Sequence, residues 1–249
     1  MPKEVMRLDK FIATHSAYSR SAIAQLVKAK RIAVNTVTVN KASIHINPAI
    51  DTLTVDGRVI TALGEVYLML NKPEGYICAN KDAENPTVID LLAQQAQLQQ
   101  EELPLNTLQV VGRLDKDTTG LVLLTTNGDW NHRITAPSSI CTKTYHVETA
   151  NPLEASLVDL FTQGILLKNE TKTTKPAHLK IHGPHQATLE ITEGKYHQVK
   201  RMFAATGNKV VKLHRAAVGN ICLDTSLQAG EYRHLTQAEI SLPITQVSP

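Results

Sequence analysis

Cysteine is scarce in this chain, and what there is does not pair. Cys78, Cys141 and Cys222 are odd in number, far apart and form no CxxC. That spacing excludes a disulfide framework and argues against a zinc site; all three thiols are expected to be reduced, buried and structural. Long apolar runs are missing too. Nothing approaches the roughly 20 residues of a membrane-spanning helix, and no apolar signal core follows the start, so a cytoplasmic protein is expected. Neither GxxxxGK[ST] nor GxGxxG occurs, which removes the Gly-rich phosphate cradles, and GxSxG and HExxH are absent as well. The ten histidines are scattered and each is read as structural. No metal and no cofactor are expected.

What is present is an ordinary globular composition with uneven charge. At 249 residues the chain can bury a core in one domain or two. Residues 1–60 carry nine Lys and Arg against four Asp and Glu, whereas the remainder carries 17 against 19. A basic front end before a nearly neutral body points to an anionic partner, with nucleic acid the leading candidate.

Periodicity places two short helices in that front end. Leu8, Phe11 and Ile12 form one apolar stripe; Ser19 caps a second helix with Ile23, Leu26 and Val27 on one face. IAVNTVTVN and the segment 51–59 read as strands. The polar link TALGE, 61–65, marks a boundary between domains 1–62 and 63–249. Beyond it, 66–70 is a strand running into NKPEG, where Pro73 and Gly75 enforce a turn and Lys72 is a candidate phosphate contact. The glutamine-rich stretch 88–103 reads as an exposed or poorly ordered helix with Leu91, Leu92 and Leu98 on it. Asn151–Gly164 reads as a helix capped by Asn151, with Leu153, Leu157, Leu160 and Phe161 inward. KTYHVETA and the segments 165–167, 177–181 and 187–191 are further strands. Their mixed order implies an α+β fold with a mixed sheet, not a regular βαβ alternation.

Two blocks carry candidate chemistry. VVGRLDKDTTGLVLLTTNGDW, 110–130, sets Asp115 and Asp117 just before the apolar run 121–124. They therefore sit on a turn feeding a buried strand: either a surface turn whose aspartates cap local backbone, or a reactive group held still. EGKYHQVKRMFAATGNKVVKLHR, 193–215, carries many cations and a helix over 197–205, on which Lys200 and Arg201 point in different directions. It is either a basic surface helix or the source of a cation for a carboxylate.

The segments RLDKFIA and SRSAIAQLVKAKRIAVN resemble the S4 RNA-binding domain. NKPEG, GRLDKDTTGLVLLTTNGDW, KTYHV and EGKYHQVKRMFAATG follow in order, and together they resemble the pseudouridine synthases of the ribosomal small subunit type over nearly the whole chain. The resemblance implies a small α/β RNA-binding domain before a mixed-sheet catalytic domain with a central cleft. It also implies a cofactor-free isomerisation of uridine to pseudouridine in 16S ribosomal RNA, by the same likeness at uridine 516. Asp115 would be the catalytic aspartate, attacking C1′ or removing a proton beside it. Lys200 would be the cation that keeps it charged in a cleft that excludes water, and Tyr145 would stack on the uracil. The target must be flipped out of its stack; Arg113 would fill the gap or hold phosphates, while Asp117 and Thr118 bond the loop's backbone and Leu121 packs beneath. Arg7, Arg20, Lys30, Lys72 and Arg201 are the further RNA contacts. The expected partner is ribosomal RNA in a small-subunit assembly intermediate, bound by a monomer away from membranes. The alternatives are the same chemistry on large-subunit 23S RNA and a non-catalytic RNA-binding assembly factor. A glycosidase using Asp115 and Asp117 is weak, because two acids on one turn cannot flank a bond.

Overall fold

The computed structural model describes residues 5–62, 64–136 and 138–242. It opens with β1 (Met6–Arg7), α1 (Leu8–His15) and α2 (Arg20–Lys28), followed by β2 (Ile32–Val34), β3 (Val37–Thr38), β4 (His45–Ile46), β5 (Leu53–Val55) and β6 (Arg58–Val59). Next come β7 (Tyr67–Lys72), α3 (Val88–Gln99), β8 (Gln109–Val111), β9 (Thr119–Thr125), α4 (Gly128–Thr135), β10 (Lys143–Thr149) and α5 (Leu157–Gln163). The remainder holds β11 (His178–Gly183), β12 (Gln186–Ile191), α6 (Gln198–Ala205), β13 (Val210–Val218), β14 (Ile221–Cys222), β15 (Tyr232–His234) and α7 (Gln237–Ser241). Contacts divide the chain into two compact units: residues up to Val66 with Ile89–Leu108, and Tyr67–Val88 with everything from Gln109 onward. No helix among the described residues is long and apolar enough to cross a membrane.

In the first unit α1 and α2 bury Leu8, Phe11, Ile12, Ile23, Leu26 and Val27 against Ile32, Leu53 and Val55. Ser19 caps α2 by accepting the Ala22 N–H at 3.2 Å. The stretches expected to be two single strands are instead two hairpins. Asn35 and Thr36 both have positive φ (49° and 70°), as do Asp56 and Gly57 (51° and 77°), the geometry of two-residue turns that match strand twist. β2 pairs with β3 and β5 pairs with β6 across them. The glutamine-rich stretch, expected to be exposed or poorly ordered, forms an ordered helix, α3, that buries Ile89, Leu91, Leu92 and Ala96 and leaves Leu98 exposed. Beyond it the Asn106 amide donates to the Ala17 carbonyl at 2.7 Å.

The second unit is one nine-stranded mixed sheet in the order β11-β12-β10-β13-β9-β7-β15, with β14 on β13 and β8 on β9. Among these strands only β9 and β13 pair in parallel, at Thr119 with His214 and Gly120 with Arg215. β8 and β9 pair antiparallel from Val111 with Leu123 outward. Residues 112–118 between them form a loop where β13 joins. β9 is buried from Gly120 to Thr125, as its apolar run requires.

Four expectations fail in this unit. The segment 165–167 forms only an isolated bridge, Leu166 with Thr173, where a strand was expected. The fifth helix begins at Leu157, not Asn151. Asn151 exchanges hydrogen bonds with the Asn208 side chain, and the Leu153 N–H donates to the Pro184 carbonyl, so that segment is pinned before it can coil. Leu160 lies exposed while Phe161 packs on Phe203. Cys222 is exposed, unlike Cys78 and Cys141.

The C-terminal turn is tied by Arg233, whose guanidinium reaches Asp224 at 2.7 Å and Glu239 at 2.8 Å. Hydrogen bonds from Ser226, then Arg233, hold Asp224 down to about 2; Arg233, then Thr236, hold Glu239 down to about 2. Carboxylates depressed in the folded state contribute stability above their unfolded values and lose it as pH falls through the folded ones. We expect Glu239→Gln to flatten the fall of the urea midpoint between pH ~4.5 and ~2 relative to wild type; parallel curves would contradict it.

Candidate active site

The loop 112–118 is gripped from below by two buried cations. Lys72, with no exposed surface, donates from Nζ to the carbonyls of Thr118 (2.7 Å), Pro73 (3.0 Å) and Lys116 (3.2 Å). Arg215, equally buried, donates to the carbonyls of Leu121 and Gly112 at 2.8 Å each. Gly75, at φ 94° in the NKPEG turn, adds its N–H to the Lys116 carbonyl at 2.9 Å. This corrects the expected role of Lys72: no phosphate can reach it, and its charge is spent on the loop's carbonyls. Burial pulls its ammonium below the ordinary lysine range, offset in part by Cys78, Asp117 and Asp115.

Gly120 explains why TTG must follow the loop. Its φ is 101°, and a Cβ there would stand 2.4 Å from the Arg215 carbonyl oxygen. Only glycine lets β9 approach β13 so closely.

Above the clamp, Asp115 meets α6. Lys200 Nζ donates to Asp115 Oδ2 at 2.9 Å and to Asp117 Oδ1 at 2.5 Å. Burial works against the Lys200 charge, but the two carboxylates outweigh it and raise the ammonium above its ordinary value. Asp117, opposed by its own partial burial, is held below the usual carboxylate range by Lys200. Asp117 thus pairs with Lys200 in addition to the backbone role expected of it, its carboxylate also accepting from its own N–H. Thr118 joins the loop through its main chain, N–H to the Asp115 carbonyl at 3.1 Å, while its buried hydroxyl has no partner.

His197 was not singled out by sequence. Its Nε2 lies 3.3 Å from Asp115 Oδ1. It precedes α6 in the left-handed region, φ 46° and ψ 36°, sparse for a residue with a side chain and common at functional sites. The only signal was its place three residues before Lys200. Tyr145, on β10 and buried, lines a recess of about 90 Å³ together with Asp115, Arg113, Thr118, His197, Lys200 and Leu213. Arg113 is exposed at its rim. Arg201 turns elsewhere, to the Lys168 carbonyl (2.8 Å) and Glu170 (3.2 Å), so its guanidinium braces that turn and the RNA contact expected of it is not supported. Arg7, Arg20 and Lys30 lie in the first unit and are exposed; Arg7 is forked on Asp9.

A carboxylate with a fixed cation, beside an aromatic ring in a small recess, is equipped to act on a flat base and the sugar carbon attached to it. Two regions of the chain match family models: residues 6–49 the S4 domain, and residues 66–205 the RNA pseudouridylate synthases. The chain belongs to the RNA pseudouridylate synthase family. Its relatives include the ribosomal small subunit pseudouridine synthase A of Yersinia pestis, 44% identical over 95% of this chain and 97% of that one. That of Haemophilus influenzae is 45% identical over 94% and 98%, and that of Escherichia coli (strain K12) 44% identical over 95% and 99%. A solved structure described as a pseudouridylate synthase, 44% identical, superimposes with a TM-score of 0.65 over 94% of this chain and 98% of its own.

Proposed function

We propose that this enzyme isomerises one uridine of small-subunit ribosomal RNA to pseudouridine, using Asp115. The observation that carries this is Asp115 held between Lys200 and His197 in the recess that Tyr145 lines. The flipped uridine stacks on Tyr145, and Arg113 at the rim occupies the vacated stack or a neighbouring phosphate. Lys200 holds the Asp115 carboxylate from one side, at 2.9 Å. The C1′–N1 bond breaks, the uracil turns, C5 bonds to C1′, the C5 proton is lost and N1 gains one. Residues 1–62 capture RNA through phosphate contacts from Arg7, Arg20 and Lys30, and residues 63–249 perform the chemistry. The substrate is RNA within a small-subunit assembly intermediate and the enzyme acts as a monomer.

The test is tritium release from small-subunit RNA labelled at uracil C5, with large-subunit RNA alongside. Release from the small-subunit RNA is expected. No release from either RNA would overturn the activity, and release from the large-subunit RNA alone would overturn the substrate. Capture has its own test. We expect the double variant Arg20→Gln, Lys30→Gln to weaken RNA binding and lower the slope of log affinity against log salt by about 1.5. An unchanged slope would remove both residues from the interface.

A further inference from the structure

We infer that Tyr196 is a stacking platform for a base adjacent to the target uridine, an inference that rests on the Asp115 recess being the pseudouridine site. Tyr196 is 74% exposed and is the one aromatic among the large exposed apolar side chains of the described residues. Its ring adds nothing to the core. It lies on the imidazole of His197, with ring centres 3.8 Å apart and planes 20° from parallel. That imidazole is itself placed against Asp115 at 3.3 Å. The two rings therefore form a short stack running outward from the catalytic carboxylate. With one face of Tyr196 on His197 and so much of the side chain exposed, the outer face is open.

The turn that carries the ring is braced. The Tyr196 carbonyl accepts from Arg201 at 3.2 Å, and Arg201 is anchored on Lys168 and Glu170. The Lys195 N–H donates to Gln198 Oε1 at 2.8 Å, and its ammonium binds Glu170 at 2.8 Å. A ring presented on a braced turn loses little freedom when it meets a ligand. The chemistry of the occupant follows from what surrounds it. Flipping one uridine leaves its neighbours without a stacking partner on one side, and an aromatic face substitutes for that partner whatever the base. Arg113 at the rim of the same recess supplies positive charge for the connecting phosphates. Tyr145 is buried inside and serves the target; Tyr196, outside, meets a base that stays in the strand.

Binding and stacking are measured directly, apart from turnover. A small-subunit RNA fragment carrying 2-aminopurine beside the target uridine is titrated with wild type, Tyr196→Phe and Tyr196→Ala. We expect Tyr196→Ala to bind about 5- to 100-fold more weakly with the salt slope unchanged, because stacking is not ionic. Tyr196→Phe should stay within about 2-fold. The 2-aminopurine fluorescence should be quenched by wild type and Phe and much less by Ala at saturation. Equal affinity and equal quenching in all three would overturn the platform. A loss that Phe fails to rescue would also overturn it, since it would place the role in the hydroxyl. A normal Tyr196 effect on binding with no tritium release by wild type would support the platform and overturn the pseudouridine reading instead.

Discussion

Asp115→Asn is expected to abolish tritium release, by at least about 10⁴-fold, while leaving folding and RNA binding within about 2-fold of wild type. The amide has nearly the shape of the carboxylate and can still accept from Lys200. It cannot attack C1′ or take a proton beside it. The loop would not move, because what holds it is Lys72 and Arg215 on its carbonyls, not the Asp115 side chain. Lys200 would keep Asp117 as a partner, so no buried charge is stranded. The measurement is single-turnover tritium release beside filter binding and urea unfolding on one preparation. Turnover within tenfold of wild type would remove Asp115 from the chemistry; collapse of the fold would instead contradict the clamp.

Gly120→Ala should have the largest effect on stability, a loss of more than about 4 kcal/mol, enough to leave little folded protein. Two penalties coincide there. A φ of 101° is hostile to a side chain, and the new methyl would stand 2.4 Å, 2.8 Å and 3.0 Å from Arg215 O, N and C. Those are main-chain atoms and no rotamer change relieves them. Relief requires β9 to part from β13 at their parallel join, beside the loop 112–118. Gly112→Ala is the internal comparison: φ is 74°, but the nearest atom is the Arg215 side chain at 3.7 Å. It should cost about 1–2 kcal/mol, the price of the left-handed backbone alone. Urea unfolding of both variants decides it, and a Gly120→Ala protein within 1 kcal/mol of Gly112→Ala would show that the sheet yields there.

Local chemistry was legible in sequence where one feature decided the outcome. The Ser19 cap, the apolar stripe of α1 and the continuous run of β9 are of that kind. The hairpins were less so: Asp56-Gly57 is a turn signal, but Asn35-Thr36 puts a β-branched residue at positive φ, which no propensity favours. At the site, Asp115, Tyr145 and Lys200 came from the family likeness, since spacing alone left each with an ordinary structural role. Lys72 was misplaced because nothing local distinguishes a lysine that binds phosphate from one buried on carbonyls. The acceptors of Lys72 include residues 116 and 118, far along the chain. His197 escaped for a related reason: its importance lies in a backbone conformation and a neighbour 82 positions away, neither of which is written at position 197.

The clamp beneath the loop grips main-chain carbonyls, and every residue type supplies one. It is therefore blind to the side chains at positions such as 116, which can drift freely while the carboxylate at 115 keeps its place. The constraint is displaced onto Lys72 and Arg215, where even a like-charged replacement changes the reach and number of donors. Mutational tolerance around this site should accordingly run opposite to distance: permissive at loop positions such as 116, whose side chain the clamp ignores, and strict at two strand positions beneath it.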